Sequence, residues 1–164
     1  FALCDHQESH FLIESLAGYL GPCISEEASI QNLTNVSWAF ATVRWMDPLL
    51  LSRIASVAVP RLHRYQEKEL ANLAWAFATL HAADVSILQA DRAELTGQDS
   101  GCQFLLPAIG KVLTARDDAK TLAPRSVASF LWAFAVCGAY PTDRLFWTLI
   151  HEARSCMHPG QSNQ

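Results

Sequence analysis

The chain has 164 residues, 51% of them hydrophobic and 17% charged, a composition that buries a sizeable core and excludes a mainly disordered chain. The net charge of −4 excludes the broad basic excess typical of nucleic-acid binders, so any RNA contact has to rest on a local patch. The five cysteines, at 4, 23, 102, 137 and 156, are odd in number and form no CxxC pair, which argues against a disulfide framework and for a reducing compartment. No apolar run reaches the length of a membrane span. The chain opens on Phe1 without a signal or transit segment, and any targeting segment is expected upstream of it.

One tetrapeptide organises everything that follows. Trp-Ala-Phe-Ala occurs at Trp38 to Ala41, Trp75 to Ala78 and Trp132 to Ala135, with flanks that align. In chain order, residues 1–24 read as a partial unit, because Phe1-Ala-Leu-Cys aligns with Phe134-Ala-Val-Cys. Its second helix carries Leu12, Ile13, Leu16, Ala17 and Leu20, the spacing of an amphipathic stripe. An earlier copy of the first helix is expected to precede it.

The first full unit covers about 25–63. Ser25, with Glu26 and Glu27 behind it, is the expected start of its first helix, which runs through Gln31-Asn-Leu-Thr-Asn-Val-Ser-Trp38. Asp47 as cap and Pro48 as first helical residue open the second helix, whose stripe is Leu50, Leu51, Ile54, Ala55 and Ala58.

The second full unit covers 64–120. Its first helix is apolar on two sides, with Leu70, Leu73, Phe77 and Leu80 on one stripe and Ala71, Trp75, Ala78 and Ala82 on the next. Such a helix is expected to lie between neighbours, and the small residues Ala39, Ala76 and Ala133 let helices approach closely. The indoles are read here as core, the alternative being a stacking platform for bases. From the Phe to the second-helix stripe the other units take 11, 10 and 11 residues, whereas from Phe77 to Leu105 it is 28. Residues 84–103 are therefore read as an inserted surface loop, with room for a short helical turn at Val85 to Ala90. Leu105, Leu106, Ile109, Gly110 and Leu113 then resume the stripe.

The last unit, 121–157, starts its helices at Pro124 and near Pro141 and carries Leu145, Phe146, Leu149, Ile150 and Ala153. Residues 158–164 read as a frayed tail. The fold expected from all this is all-α, an armadillo- or HEAT-like α-solenoid of stacked antiparallel helix pairs.

The stretch from Gln66 to Leu80, Gln-Glu-Lys-Glu-Leu-Ala-Asn-Leu-Ala-Trp-Ala-Phe-Ala-Thr-Leu, resembles the octotricopeptide repeat. It is also similar to the helical repeats of FAST-kinase-like proteins and of RNA-editing substrate-binding proteins of organelles. Two positions depart from that signature: no Pro precedes Gln66, and Ser129 stands where the other units have Asn35 and Asn72. The resemblance implies a mitochondrial or chloroplast protein that binds single-stranded RNA and acts in transcript processing, stability or translation.

Candidate contact positions follow from the alignment of units. A residue shared by every unit cannot specify different bases, so code-like positions should be polar, exposed and variable. Seven before the Trp stand Gln31, Lys68 and Arg125; six after it stand Arg44, His81 and Gly138. The first set lies one turn before Asn35, Asn72 and Ser129 on the same helical face, giving a polar line with one step per unit, as in readers of one base per helical repeat. Asn is a poor helix-interior residue, so Asn35 and Asn72 serve either a neighbouring backbone or a ligand. Arg61, His63, Arg64 and Lys68 form the one basic cluster, either a phosphate contact or a solvated turn.

The sequence carries no phosphate-cradling Gly-rich loop, nucleophile elbow or paired carboxylates, so neither catalysis nor a cofactor is expected. Cys4, His6, His10 and Cys23 have the wrong spacing for zinc, and Cys4 falls at the repeat position of Cys137. Nothing points to DNA. The rival to RNA binding is a protein-interaction scaffold holding a partner peptide, which the acidic balance favours.

Overall fold

Capping residues set the helix starts. Ser29 accepts the Asn32 N–H at 3.1 Å and opens α2, Ile30–Thr42, four residues after the Ser25 expected from sequence. Asp47 accepts the Leu50 N–H at 2.9 Å and, with Pro48 behind it, opens α3, Pro48–Ala58, as its sequence predicts. Pro124 begins α6, Pro124–Val136. The hydroxyl of Thr142, rather than Pro141, meets the Leu145 N–H at the start of α7, Asp143–Met157. The remaining helices are α1, His6–Cys23; α4, Glu67–Asp91; and α5, Cys102–Arg116; a 3-10 turn, η1, covers Val59–Arg64. The computed structural model describes residues 6–91, 102–116 and 122–157, and these contain no strand. Phe1-Ala-Leu-Cys and the tail at 158–164 lie outside them.

The turn from first to second helix is the same device twice. Arg44 (φ 55°) and Gly138 (φ 60°) sit at equivalent places, six after the Trp, in the left-handed region. Trp45 N–H reaches back to Phe40 C=O at 3.0 Å, and Ala139 N–H to Phe134 C=O at 3.1 Å, closing a Schellman motif over each helix end. The third residue of that set, His81, is helical instead. Helix α4 does not stop there but runs on to Asp91. The start of the 84–103 insertion is thus the last part of a long helix rather than a loop; residues 92–101 lie outside the described residues.

The helices pack in two rows. Helices α2, α4 and α6 touch in order, and α1, α3 with η1, α5 and α7 touch in order behind them. Within each full unit the pairs α2 and α3, α4 and α5, and α6 and α7 also meet. Helix α4 is the centre: Leu70, Leu73, Phe77 and Leu80 are fully buried, as are Ala74, Ala76 and Ala78. Phe40, Phe77 and Phe134 carry the core at one register, with Leu50, Leu51, Ile54, Leu105, Leu106, Ile109, Leu145 and Leu149 buried from the second row. Burying such a side chain contributes about 2 kcal/mol before entropy. Buried hydroxyls are satisfied locally: Thr34 donates to Ile30 C=O and Ser37 to Leu33 C=O. Helix α1 departs from its expected stripe. Ala17 is buried, but Leu12 and Leu16 are exposed with Phe11 and Tyr19, because no first helix of their own unit lies among the described residues.

One buried polar atom stands out. Tyr65, between η1 and α4, is fully buried, and its hydroxyl finds no partner among the described residues. Burial pushes its pKa from 10.0 up to about 12; nearby Arg61 pulls it down less, and Glu69 pushes it up. The folded-state pKa lies above the unfolded one. Stability tied to the neutral phenol is therefore complete below pH 10 and is lost as pH rises through 12.

Two stability predictions follow. A Cβ on Gly138 meets no atom within 4 Å, so Gly138→Ala tests backbone strain alone. It should cost about 1 kcal/mol, lowering the melting midpoint by about 2–4 °C, whereas Arg44→Gly should raise it by less. Tyr65→Phe should be neutral or stabilising by up to about 1 kcal/mol at neutral pH. Denaturant titrations at pH 7 and 11 should show that it also removes part of the alkaline loss seen in the unsubstituted chain.

Candidate functional site

The face presented by the row of first helices follows from helical geometry. Positions seven and three before the Trp, and the Trp itself, share one stripe at 3.6 residues per turn. The Phe two residues later is turned by about 200° and points the other way. The structure follows this geometry. Phe40, Phe77 and Phe134 are buried, while Trp38 is 48% exposed, Trp132 is 39% exposed and Trp75 is half-buried. Reading the indoles as core is therefore corrected for Trp38 and Trp132, which are exposed on the polar stripe, whereas Trp75 packs half-buried against the core and the phenyls fill the interior.

Along that stripe the N-terminal halves of α2, α4 and α6 line an open groove of about 540 Å³. Five residues picked from the sequence meet there: Asn35 from α2, Lys68 and Asn72 from α4, and Arg125 and Ser129 from α6. Trp38 stands with them. The side-chain amides of Asn35 and Asn72 make no hydrogen bond to any described residue, so neither ties down a neighbouring backbone. Lys68 and Arg125 are exposed, without an ion pair to any described residue. One carboxylate also borders the groove, Glu67, and its Oε1 accepts the Ala123 N–H at 2.8 Å, closing the start of α6. The groove thus offers the cations Lys68 and Arg125, the amides of Asn35, Gln66 and Asn72, the hydroxyls of Thr34, Ser126 and Ser129, one carboxylate and one indole. These groups suit an extended anionic chain with flat or hydrogen-bonding substituents.

The other five sequence-predicted residues do not line it. Gln31 is exposed one turn before Asn35. Arg64 is exposed at the end of η1. Arg44 occupies the left-handed cap position described above, and His81 is half-buried inside α4. Variation across Arg44, His81 and Gly138 accompanies a difference in how each first helix ends.

Arg61 is the clearest change of role. Its guanidinium donates to Glu26 C=O at 2.6 Å and Ala28 C=O at 2.7 Å, in the turn before α2. Arg116 does the same one unit on, donating to Tyr65 C=O at 2.7 Å, to Leu62 C=O at 3.2 Å and to His63 C=O. Arg61 and Arg116 each stand seven residues after the isoleucine of their second helix, Ile54 and Ile109. Each donates to carbonyls of the turn that precedes the first helix of its own unit, and so ties the second helix row to the start of the first. The basic cluster does not act as one patch: Arg61 is held in this latch, and Lys68 faces the groove. The shared offset of the two arginines was the available signal, since a residue repeated in register has a structural job.

Replacing Arg61 or Arg116 with Ala should lower stability by about 1–3 kcal/mol, measured by denaturant unfolding. A ligand bound in the groove should hold its affinity to within about twofold below the melting transition, since neither guanidinium lines it.

Among the described residues no helix is long and apolar enough to cross a membrane. Comparison of the chain with family models, with characterised proteins and with solved structures gives no match.

Proposed function

We propose that the chain is an RNA-binding segment of an α-solenoid, taking single-stranded RNA along the face of its first-helix row. One observation carries this reading: a single groove gathers residues from equivalent positions of three successive units, Asn35, Asn72 and Ser129 in one set and Lys68 and Arg125 in another. A linear array of units with one polar step each fits a linear polymer read unit by unit. The likeness of the Trp-Ala-Phe-Ala units to octotricopeptide repeats supports the same reading. That likeness implies a mitochondrial or chloroplast protein acting in transcript processing, stability or translation. The role is binding, with no cofactor and no catalytic step. The net charge of −4 favours the rival, a scaffold for a protein partner, and makes the RNA test decisive.

Two phosphate contacts on a single strand give a slope of about −1.4 in log affinity against log salt. Affinity for an RNA oligomer, followed by fluorescence anisotropy, should therefore fall about sevenfold between 50 and 200 mM salt. The double variant Lys68→Ala with Arg125→Ala should bind more weakly and lose most of that dependence. Affinity indifferent to salt, or unchanged in the double variant, would sink the proposal.

A further inference from the structure

The wet indoles are what phosphate and amide contacts leave unexplained. A scattered exposed aromatic on a protein surface needs no account. Here Trp38 and Trp132 recur at one register, both exposed by more than a third, while the phenyls two residues later are buried. The two sites share the same helical packing, so the fold had an interior position available at each unit and used it for Phe. Trp38 also lines the groove, beside Asn35, Lys68 and Asn72.

We infer that Trp38 is a stacking platform for one base of the bound strand. Lys68 and Arg125 lie in the same groove for its phosphates, and the amides of Asn35 and Asn72, which bond to no described residue, for base edges. The inference rests on the RNA reading above and deepens it. Every base has a flat π-face, so an indole grips any of them while the cations track the backbone. Neighbouring helices lie about 8–10 Å apart, well beyond the rise of about 3.4 Å between stacked bases. Bases held on successive units are therefore splayed from one another, which a single strand allows and a duplex does not. A basic peptide laid over the indoles is disfavoured, because Lys68 and Arg125 repel it and the Glu67 carboxylate already accepts the Ala123 N–H.

The test compares the full chain with Trp38→Ala and Trp38→Phe, using a mixed-sequence RNA oligomer and the same oligomer with abasic sugars throughout. Removal of the indole should weaken binding of the intact oligomer by about tenfold and leave binding of the abasic one unchanged. Trp38→Phe, which keeps a ring, should recover most of the loss. Circular dichroism and the melting midpoint confirm that each variant is folded, and the abasic strand exposes any general structural damage. An equal loss on both oligomers, or none on either, overturns the stacking role; the RNA reading then stands if Lys68→Ala and Arg125→Ala still weaken binding. A chain that binds neither oligomer, or that prefers a polyglutamate peptide to the intact RNA, overturns both.

Discussion

The packing of phenyl rings in register along the first-helix row is the constraint on which everything else depends. Phe40, Phe77 and Phe134 are buried at one repeat position, and Ala41, Ala76, Ala78 and Ala133 beside them are buried where α2, α4 and α6 meet, whereas Ala39, expected from sequence to let helices approach, is exposed. With about 100° between successive residues, a Trp two positions before a buried Phe has to face away from that interior. Trp-Ala-Phe-Ala therefore divides a helix into a core side and an outward side. The row that buries the phenyls displays Trp38 and Trp132, with the polar positions three and seven residues before them, while Trp75 in the central helix stays half-buried. Core and candidate site are two consequences of one register.

The same repetition explains features that contact no ligand. Arg61 and Arg116 return at one offset because each turn between units leaves carbonyls that need a donor. Arg44 and Gly138 return at one offset because each helix end needs a left-handed residue. The middle unit breaks the second pattern and shows its importance. With His81 helical at that position, α4 continues to Asp91, and the next stripe is displaced to Leu105. Yet α5 still packs against η1 and α7, so the second row resumes its order across the extra residues.

Periodicity made the helices, their pairing and most of the interior legible in the sequence, because burial in a helix row repeats with the unit. The stripe at Leu50, Leu51, Ile54, Ala55 and Ala58 is buried throughout. Half of the candidate contact residues converge on the groove, since helical phase alone places Lys68 with Asn72 and Arg125 with Ser129. What failed was judgement by residue type. The size of an indole points to the core, whereas its helical phase puts Trp38 and Trp132 with the polar line. The charge of Arg61 leaves a phosphate contact and a solvated turn equally open, whereas its offset, shared with Arg116, points to the latch. Polar variability at Arg44, His81 and Gly138 suggested recognition, but the property varying there is backbone conformation, which side-chain chemistry does not reveal. The exposure of Leu12 and Leu16 depends on which helices stand next to α1, which a stripe on its own cannot specify.

The acidic balance of the chain and the cationic groove are compatible once range is considered. At physiological ionic strength a charge is felt over about 8 Å, so acidic groups elsewhere contribute little at the groove. Locally, Lys68 and Arg125 face it without an ion pair to any described residue, and the Glu67 carboxylate is held by the Ala123 N–H. Three other arginines, Arg53, Arg61 and Arg116, donate to backbone carbonyls. A net count of charges conceals this division, because it weighs a guanidinium that closes a turn equally with one that meets solvent. A surface of this kind gives little long-range steering. In the proposed reading, affinity comes from short-range contacts made by several units, each of which brings an equivalent polar position to the groove.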